Sequence, residues 1–450
     1  MDSLAVATNR FGLGRKPGEA APADPQRWLL AQFANYQPTP AAWAVLPTTA
    51  AVAQLYEEQQ AERRDAKAMG LVNEQKNRWT QDNYRSGVEA RLQTALTSEA
   101  PFVERLTHFW SNHFAVSADG AKKTAFAPRF ELDAIRPHVL GRFEDMLFAV
   151  ERHPAMLVYL DQAQSIGPDS MSAMRAAQRP DAKKRGLNEN LAREIMELHT
   201  LGVRSGYTQD DVTEFARALT GWSVGNARQG PQGEYFYRAN VHEPGTRTIL
   251  GKRYGQEGEA QGRAVLSDLA AAPATATHVA TKLARHFVAD QPPPALVARL
   301  AHAFTTSRGD LPTVYAALID APEAWATPLP KFKTPWDWLV SSLRAVEPDS
   351  FDKLNPVALL SQLGQPVWRP GSPAGWDDTA ATWAAPDALL RRVEIAQRLA
   401  TLSPQTDARA LGPQVLPGVL SARTAQAIAR AESPDSALAL LLVAPEFQRR

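Results

Sequence analysis

Apolar residues recur along this chain at spacings of three and four, the mark of helices that bury one face. Trp28, Leu29, Leu30 and Phe33 open the pattern, and Leu92 and Leu96, then Phe102, Leu106 and Phe109, continue it. Val279, Leu283, Ala284 and Phe287 repeat it, as do Leu389, Leu390, Val393 and Ala396. Strand-like alternation is scarce. Its best instance is Glu234–Arg238 (EYFYR), followed after a His242-Glu243-Pro244-Gly245 turn by Thr246–Leu250, which reads as one hairpin. The pattern predicts a mainly α protein: one large helical domain over residues 1–450 with a small β-hairpin insertion at 223–252.

Three segments break the periodicity. Residues 165–186 are poor in large apolar side chains and basic towards their end (Arg175, Arg179, Lys183, Lys184, Arg185), which predicts a flexible basic loop. Residues 328–335 read as a Pro-punctuated turn, and 364–378 (GQPVWRPGSPAGWDD) are too rich in Pro and Gly for a helix. No repeat of fixed period is visible.

The polar residues concentrate in NENLAREIMELHTLGVRSGYTQDDVTEFARALTGW, Asn188 to Trp222. On a helix from about Leu191 to Leu201, Asn190, Glu194 and Glu197 share one face, while Ile195, Leu198 and Leu201 form an adjoining apolar stripe. Two carboxylates one turn apart repel unless a cation, an arginine or a shared proton offsets them. Arg193 is the local candidate partner. Two readings follow: an Arg–Glu network pinning two helices together, or a carboxylate pair for acid–base work or a metal. His199 lies about 200° around the helix from Glu197 and reads as a helix-terminal residue, with Gly202 as the cap after it. Thr208 and Asp211 read as a capping box, followed by Glu214 and Arg217 on one face and then Trp222.

A second set is HFWSNHF. His108 and Asn112 share a face, whereas His108 and His113 stand about 140° apart, a poor chelating pair on a regular helix. Buried, hydrogen-bonded histidines are one reading; a general base or a single metal ligand is the other. A third set is aromatic: five of the eleven tryptophans (Trp336, Trp338, Trp368, Trp376 and Trp383) fall near the C-terminal end. They either anchor an irregular loop or, with Asp337, Arg369 and Asp377 beside them, stack on sugar rings.

Composition removes several classes. A net charge of +1 gives no overall field for nucleic acid or an anionic membrane, and no nucleic-acid partner is expected. The absence of cysteine excludes disulfides, thiolate metal sites and a Cys nucleophile. No apolar run approaches membrane-spanning length, and the first twenty residues lack a basic start followed by an apolar run. The default expectation is therefore a cytoplasmic protein with no membrane span. No cofactor motif is present: Gly12-Leu13-Gly14 lacks the preceding strand and third Gly of a nucleotide fingerprint, and no phosphate loop, zincin pair or nucleophile elbow occurs. The cofactor and the oligomeric state stay open.

NENLAREIMELHTLGV and GYTQDDVTEFARALTGW resemble the bacterial family catalogued as domain of unknown function 1800, and so do RFGLG, FWSNHF and HPAMLVYLD. HEPGTRTILG, KLARHFVAD and GQPVWRPGSPAGW are similar to it as well, in the family's order over nearly the whole chain. The resemblance implies a single family-length, mainly helical unit and no established reaction. It also implies a neighbour: relatives often lie beside genes for a sulfatase-like protein, and many proteins of that system are exported. This chain departs from that pattern by lacking an evident signal peptide, so either it stays in the cytoplasm or it leaves as a passenger on a signal-bearing partner.

Three functional expectations result. The first is a hydrolase or lyase acting on a glycan-like substrate, with Glu194, Glu197, His108 and His113 as catalytic candidates. Asn190, Arg193, Asn112, Glu214, Arg217, Trp222 and Trp376 would bind or position. The second is a non-enzymatic adaptor or secretion partner of the sulfatase-like protein. The third is a metal-binding protein with oxygen and imidazole ligands.

Overall fold

The computed structural model describes residues 2–70, 78–178, 186–227, 229–327, 329–347 and 354–450. The protein is mainly helical, and its strands among the described residues form two small antiparallel pairs. Apolar periodicity becomes helix where it was expected. Two helices are buried on nearly every side. Pro101–His113 starts on a proline at its first turn, and Pro335–Val346 starts from Thr334, whose hydroxyl accepts the Asp337 N–H at 3.2 Å. The first carries HFWSNH and the second the Trp336-Asp337-Trp338 run, so polar side chains enter the interior on both.

The β insertion is real, but its pairing differs from the expected hairpin. β1 (Trp222–Val224) pairs with β2 (Tyr235–Tyr237), and β3 (Arg247–Ile249) pairs with β4 (Lys252–Tyr254). The Tyr235 strand thus folds back on Trp222 rather than forward onto Arg247. The reason is local. Leu250 and Gly251 both take positive φ (50° and 74°), the backbone of a two-residue hairpin turn that closes β3 onto β4. Asp211 Oδ1 steadies the strained Leu250 by accepting its N–H at 2.6 Å.

Two further differences concern loops and helix regularity. Residues 165–186 contain the helix Met171–Ala177, started by Ser170 accepting the Ala173 N–H in a stretch rich in Ala and Met. Arg179, Lys183, Lys184 and Arg185 of the expected basic loop lie outside the described residues. The expected regular helix over Leu191–Leu201 is α-helical only for Asn190–Glu194 and widens to a π-helix over Ile195–His199. Residues 364–378 form neither helix nor strand.

Buried apolar side chains gather in two clusters. One is built on the helices that carry Phe102, Trp110, Phe143, Leu191, Phe215 and Phe287. The other joins Tyr84 to Leu96 with the C-terminal helices through Trp336, Trp338, Trp368 and Ile395. A polar cleft is lined from both: Val116 and His286 belong to elements of the first, Trp336, Val367 and Trp368 to the second.

Candidate functional site

The acidic helix lies apart from that cleft: neither Glu194 nor Glu197 lines it. Burial, and then the neighbouring Glu197, raises the Glu194 carboxyl above its ordinary value. Glu197 meets the Tyr207 hydroxyl. Arg193 bonds backwards to Glu189 at 3.1 Å and across to Gln209 at 2.9 Å, so the expected Arg193–Glu197 pair does not form. Glu214 is held by Arg217 and, at 3.3 Å, by Arg247. Asn190 is exposed, and its N–H donates to the Asn188 side chain. Trp222 is buried at the start of β1 against Tyr235.

The histidines near this helix serve its end. His113 Nε2 donates to the His199 carbonyl at 3.1 Å, and His278 Nε2 donates to the Leu198 carbonyl at 2.9 Å. Burial, helped by Lys282, holds both imidazoles below their ordinary values, His278 at about 4. Two neutral rings thus cap carbonyls that a widened helix end leaves open. His199 itself is fully buried with Nδ1 2.7 Å from Glu151 Oε1. The capping box of Thr208 and Asp211 is present.

His108, Asn112 and Trp376, by contrast, come together in the cleft, a space of about 80 Å³. Asn112 grips the backbone of Trp376 from both sides: its Oδ1 accepts the Trp376 N–H at 2.7 Å and its Nδ2 donates to the Trp376 carbonyl at 2.9 Å. The indole of Trp376 is half-buried and tilted on Trp383, ring centres 6.0 Å apart. His108 Nδ1 accepts the Trp336 indole N–H at 3.1 Å, so neutral His108 carries its own proton on Nε2. Burial and the nearby Arg91 keep it neutral.

Beside them stand further residues, of which sequence patterning singled out Asp337 and Trp368. His286 Nδ1 lies 2.8 Å from Asp378 Oδ2, and its Nε2 is buried with no partner among the described residues. Burial lowers His286 to about 4, against the pull of Asp378. Lys331 and Arg450 flank Asp378 at 3.4 and 3.6 Å. Asp337 is paired with Arg105 and Arg450, each at 2.9 Å; these cations overcome burial and hold it well below the carboxylate range. Glu131 accepts from Arg91, Ser111 and Trp368. Asp337 and Asp378 in the cleft wall therefore have cations beside them, whereas Asp377 is held by the hydroxyls of Thr379 and Thr382. Among the described residues, no group of three or more His, Asp or Glu is arranged to hold a metal ion.

The only sequence signal for the His286–Asp378 pair was indirect. His286 falls within KLARHFVAD, and Asp378 two residues beyond GQPVWRPGSPAGW, but 92 residues separate the pair. No spacing rule joins them.

A mainly helical protein with a polar cleft holding a histidine–aspartate pair is the class that fold and site define. A family model described as "Protein of unknown function (DUF1800)" matches residues 6–449, and the chain belongs to that family. No curated protein and no solved structure matches it.

Proposed function

We propose that this chain is an acid–base enzyme, a hydrolase or lyase, that acts on a small glycan-like group in the cleft. The observation that carries this is the His286–Asp378 pair with its free Nε2. Donation from Nδ1 to the carboxylate fixes the tautomer, leaving a lone pair on Nε2 for a proton from substrate or water. Asp378 then steadies the imidazolium that forms. His108 adds a hydrogen-bond donor, its Nε2–H, in the same cleft; being neutral it orients the substrate, and the proton taken up by His286 is the one returned to the leaving group. The half-buried face of Trp376 offers a platform for a sugar ring, fixed in place by Asn112. In this reading the proton work expected of Glu194 and Glu197 passes to His286.

The test is product release from a panel of neutral and acidic oligosaccharides, read as new reducing ends for hydrolysis or unsaturated product for elimination. His286→Gln should fold with an unchanged melting temperature and lose about 100-fold or more in turnover. Turnover within a few fold of the parent in that variant ends this reading.

A different surface supports the adaptor reading. Leu390, Val393 and Leu440 are exposed (60%, 37% and 41%) on the helices Pro386–Thr401 and Pro434–Leu442. An apolar patch of this kind suits a protein partner such as the sulfatase-like neighbour. Co-purification of that neighbour should be lost on Leu390→Asp with Leu440→Asp. Unaltered co-purification removes the patch from consideration.

A further inference from the structure

Arg91 presents a guanidinium that is only half used. Its side chain is 9% exposed, and its Nε is committed to both oxygens of Glu131, at 3.1 and 2.9 Å. Among the described residues neither Nη has a hydrogen-bond partner, and the residue lines the cleft. Glu131 is not free to turn and satisfy them, because Ser111 (2.8 Å) and the Trp368 indole (3.0 Å) hold it. The guanidinium carbon sits 4.2 Å from the centre of the Trp336 ring, which also fixes His108 edge-on at 5.2 Å. One indole thus aligns two donors, the free edge of Arg91, open to the cleft, and the Nε2–H of His108, which is buried without a partner. A buried donor left open is costly, so His108 is built for an acceptor that arrives with a ligand, and the open edge of Arg91 stands ready beside it.

We infer that this cleft recognises a carboxylate-bearing ligand of the uronic acid type, gripped by Arg91 and His108. Two features select the carboxylate. The unused Nη1–Nη2 edge is a planar fork that matches two coplanar oxygens. Charge is the second: Glu131 already neutralises Arg91, and Asp337 and Asp378 already answer Arg105, Arg450 and Lys331, so little excess positive charge remains for a dianion. The inference rests on the cleft being the site of the proposed reaction and names the substrate class for it.

Equilibrium titration of the full chain with glucuronate, glucose and inorganic sulfate, followed by tryptophan fluorescence and by calorimetry, tests it without any turnover. Glucuronate should bind about tenfold or more tighter than glucose, and tighter than sulfate. Arg91→Lys keeps a cation but loses the fork, and should weaken glucuronate about tenfold while leaving glucose unchanged. Equal affinity for glucuronate and glucose in the unaltered chain overturns the inference whatever the variant does, as does failure to bind glucuronate. Sulfate binding tighter than glucuronate overturns the choice of carboxylate. The failures remain separable. Glucuronate bound through Arg91 with no turnover of any glycan sinks the enzyme reading alone. Turnover of a neutral glycan, undiminished in Arg91→Lys, sinks this inference alone.

Discussion

Gly375 shows how much of the cleft depends on a single missing atom. Its φ of 79° lies in the left-handed region, and a Cβ there would stand 2.3 Å from the Asn112 carbonyl oxygen. That close approach is what lets Asn112 reach the next residue, Trp376, with both ends of its amide. Gly375→Ala should therefore cost about 2–3 kcal/mol and release the loop. The expected outcome is a lower melting temperature together with a red shift in fluorescence as Trp376 gains solvent. An unchanged spectrum and melting curve would mean that the loop is held by something other than this contact. The same residue-scale logic explains why Trp336 is worth more than its area: it touches Arg91 by its face and His108 by its edge and N–H.

At the scale of elements, the local rules worked where the cause was local. Thr208 and Asp211, three residues apart, form the capping box that their spacing predicts, and Thr208→Ala should lower stability by about 1 kcal/mol in a denaturant titration. A change well under about 0.3 kcal/mol would show that tertiary contacts, not the cap, hold that helix start. The helix around Leu191 to Leu201 was legible as a helix but not as a widened one. Its π-turn answers to groups far away in sequence, His113 and His278, which take its terminal carbonyls. The hairpin was legible as strand-forming sequence but misread in partner, because alternation marks strands and does not say which pair. Leu250-Gly251 carried the turn, and a leucine at positive φ is not a residue that turn rules select. The cleft was least legible of all. Arg91, Glu131, His286 and Asp378 come from four separate segments, and only tertiary packing makes them neighbours. Asn112, His108 and Trp376 were picked out as polar or aromatic residues in unusual company, which is as far as composition reaches.

The whole molecule carries a pH dependence set by its buried histidines and, nearer neutrality, by the buried Lys282 and Lys333. Burial holds His278 and His286 at about 4 in the folded chain and lowers His108 and His113 as well, whereas an unfolded histidine titrates near 6.5. The groups facing them are mixed: Lys282, Arg285 and His199 repel a proton on His278, and Asp378 attracts one to His286 while Arg450 and Arg105 repel it. Below pH 6.5 the unfolded chain takes up protons that the folded chain refuses. The stability the histidines contribute is therefore fully present above that value and falls as pH drops towards 4, by about 1.4 kcal/mol per pH unit for each such histidine. Asp337, lowered by Arg105 and Arg450, and Asp378, lowered by His286 and then by Lys331 and Arg450, keep contributing until pH falls below the ordinary carboxylate value of 3.8, and acid then removes that stability too. Lys282 and Lys333, lowered by burial to about 8 and about 7, give a gentle fall already as pH drops from 8 to about 7, where the unfolded chain holds protons that the folded chain sheds. The melting temperature should then decline further below about pH 6.5 as the histidines act, well before any carboxylate titrates. His278→Gln isolates the effect, because glutamine can still donate to the Leu198 carbonyl but cannot take a proton. That variant should match the parent chain at pH 7 and fall less steeply between pH 6.5 and 4, by about the slope of one histidine. Parallel melting curves for the two over that window would mean that His278 is protonated alike in the folded and unfolded chains, and would remove the histidine cap as a source of acid sensitivity.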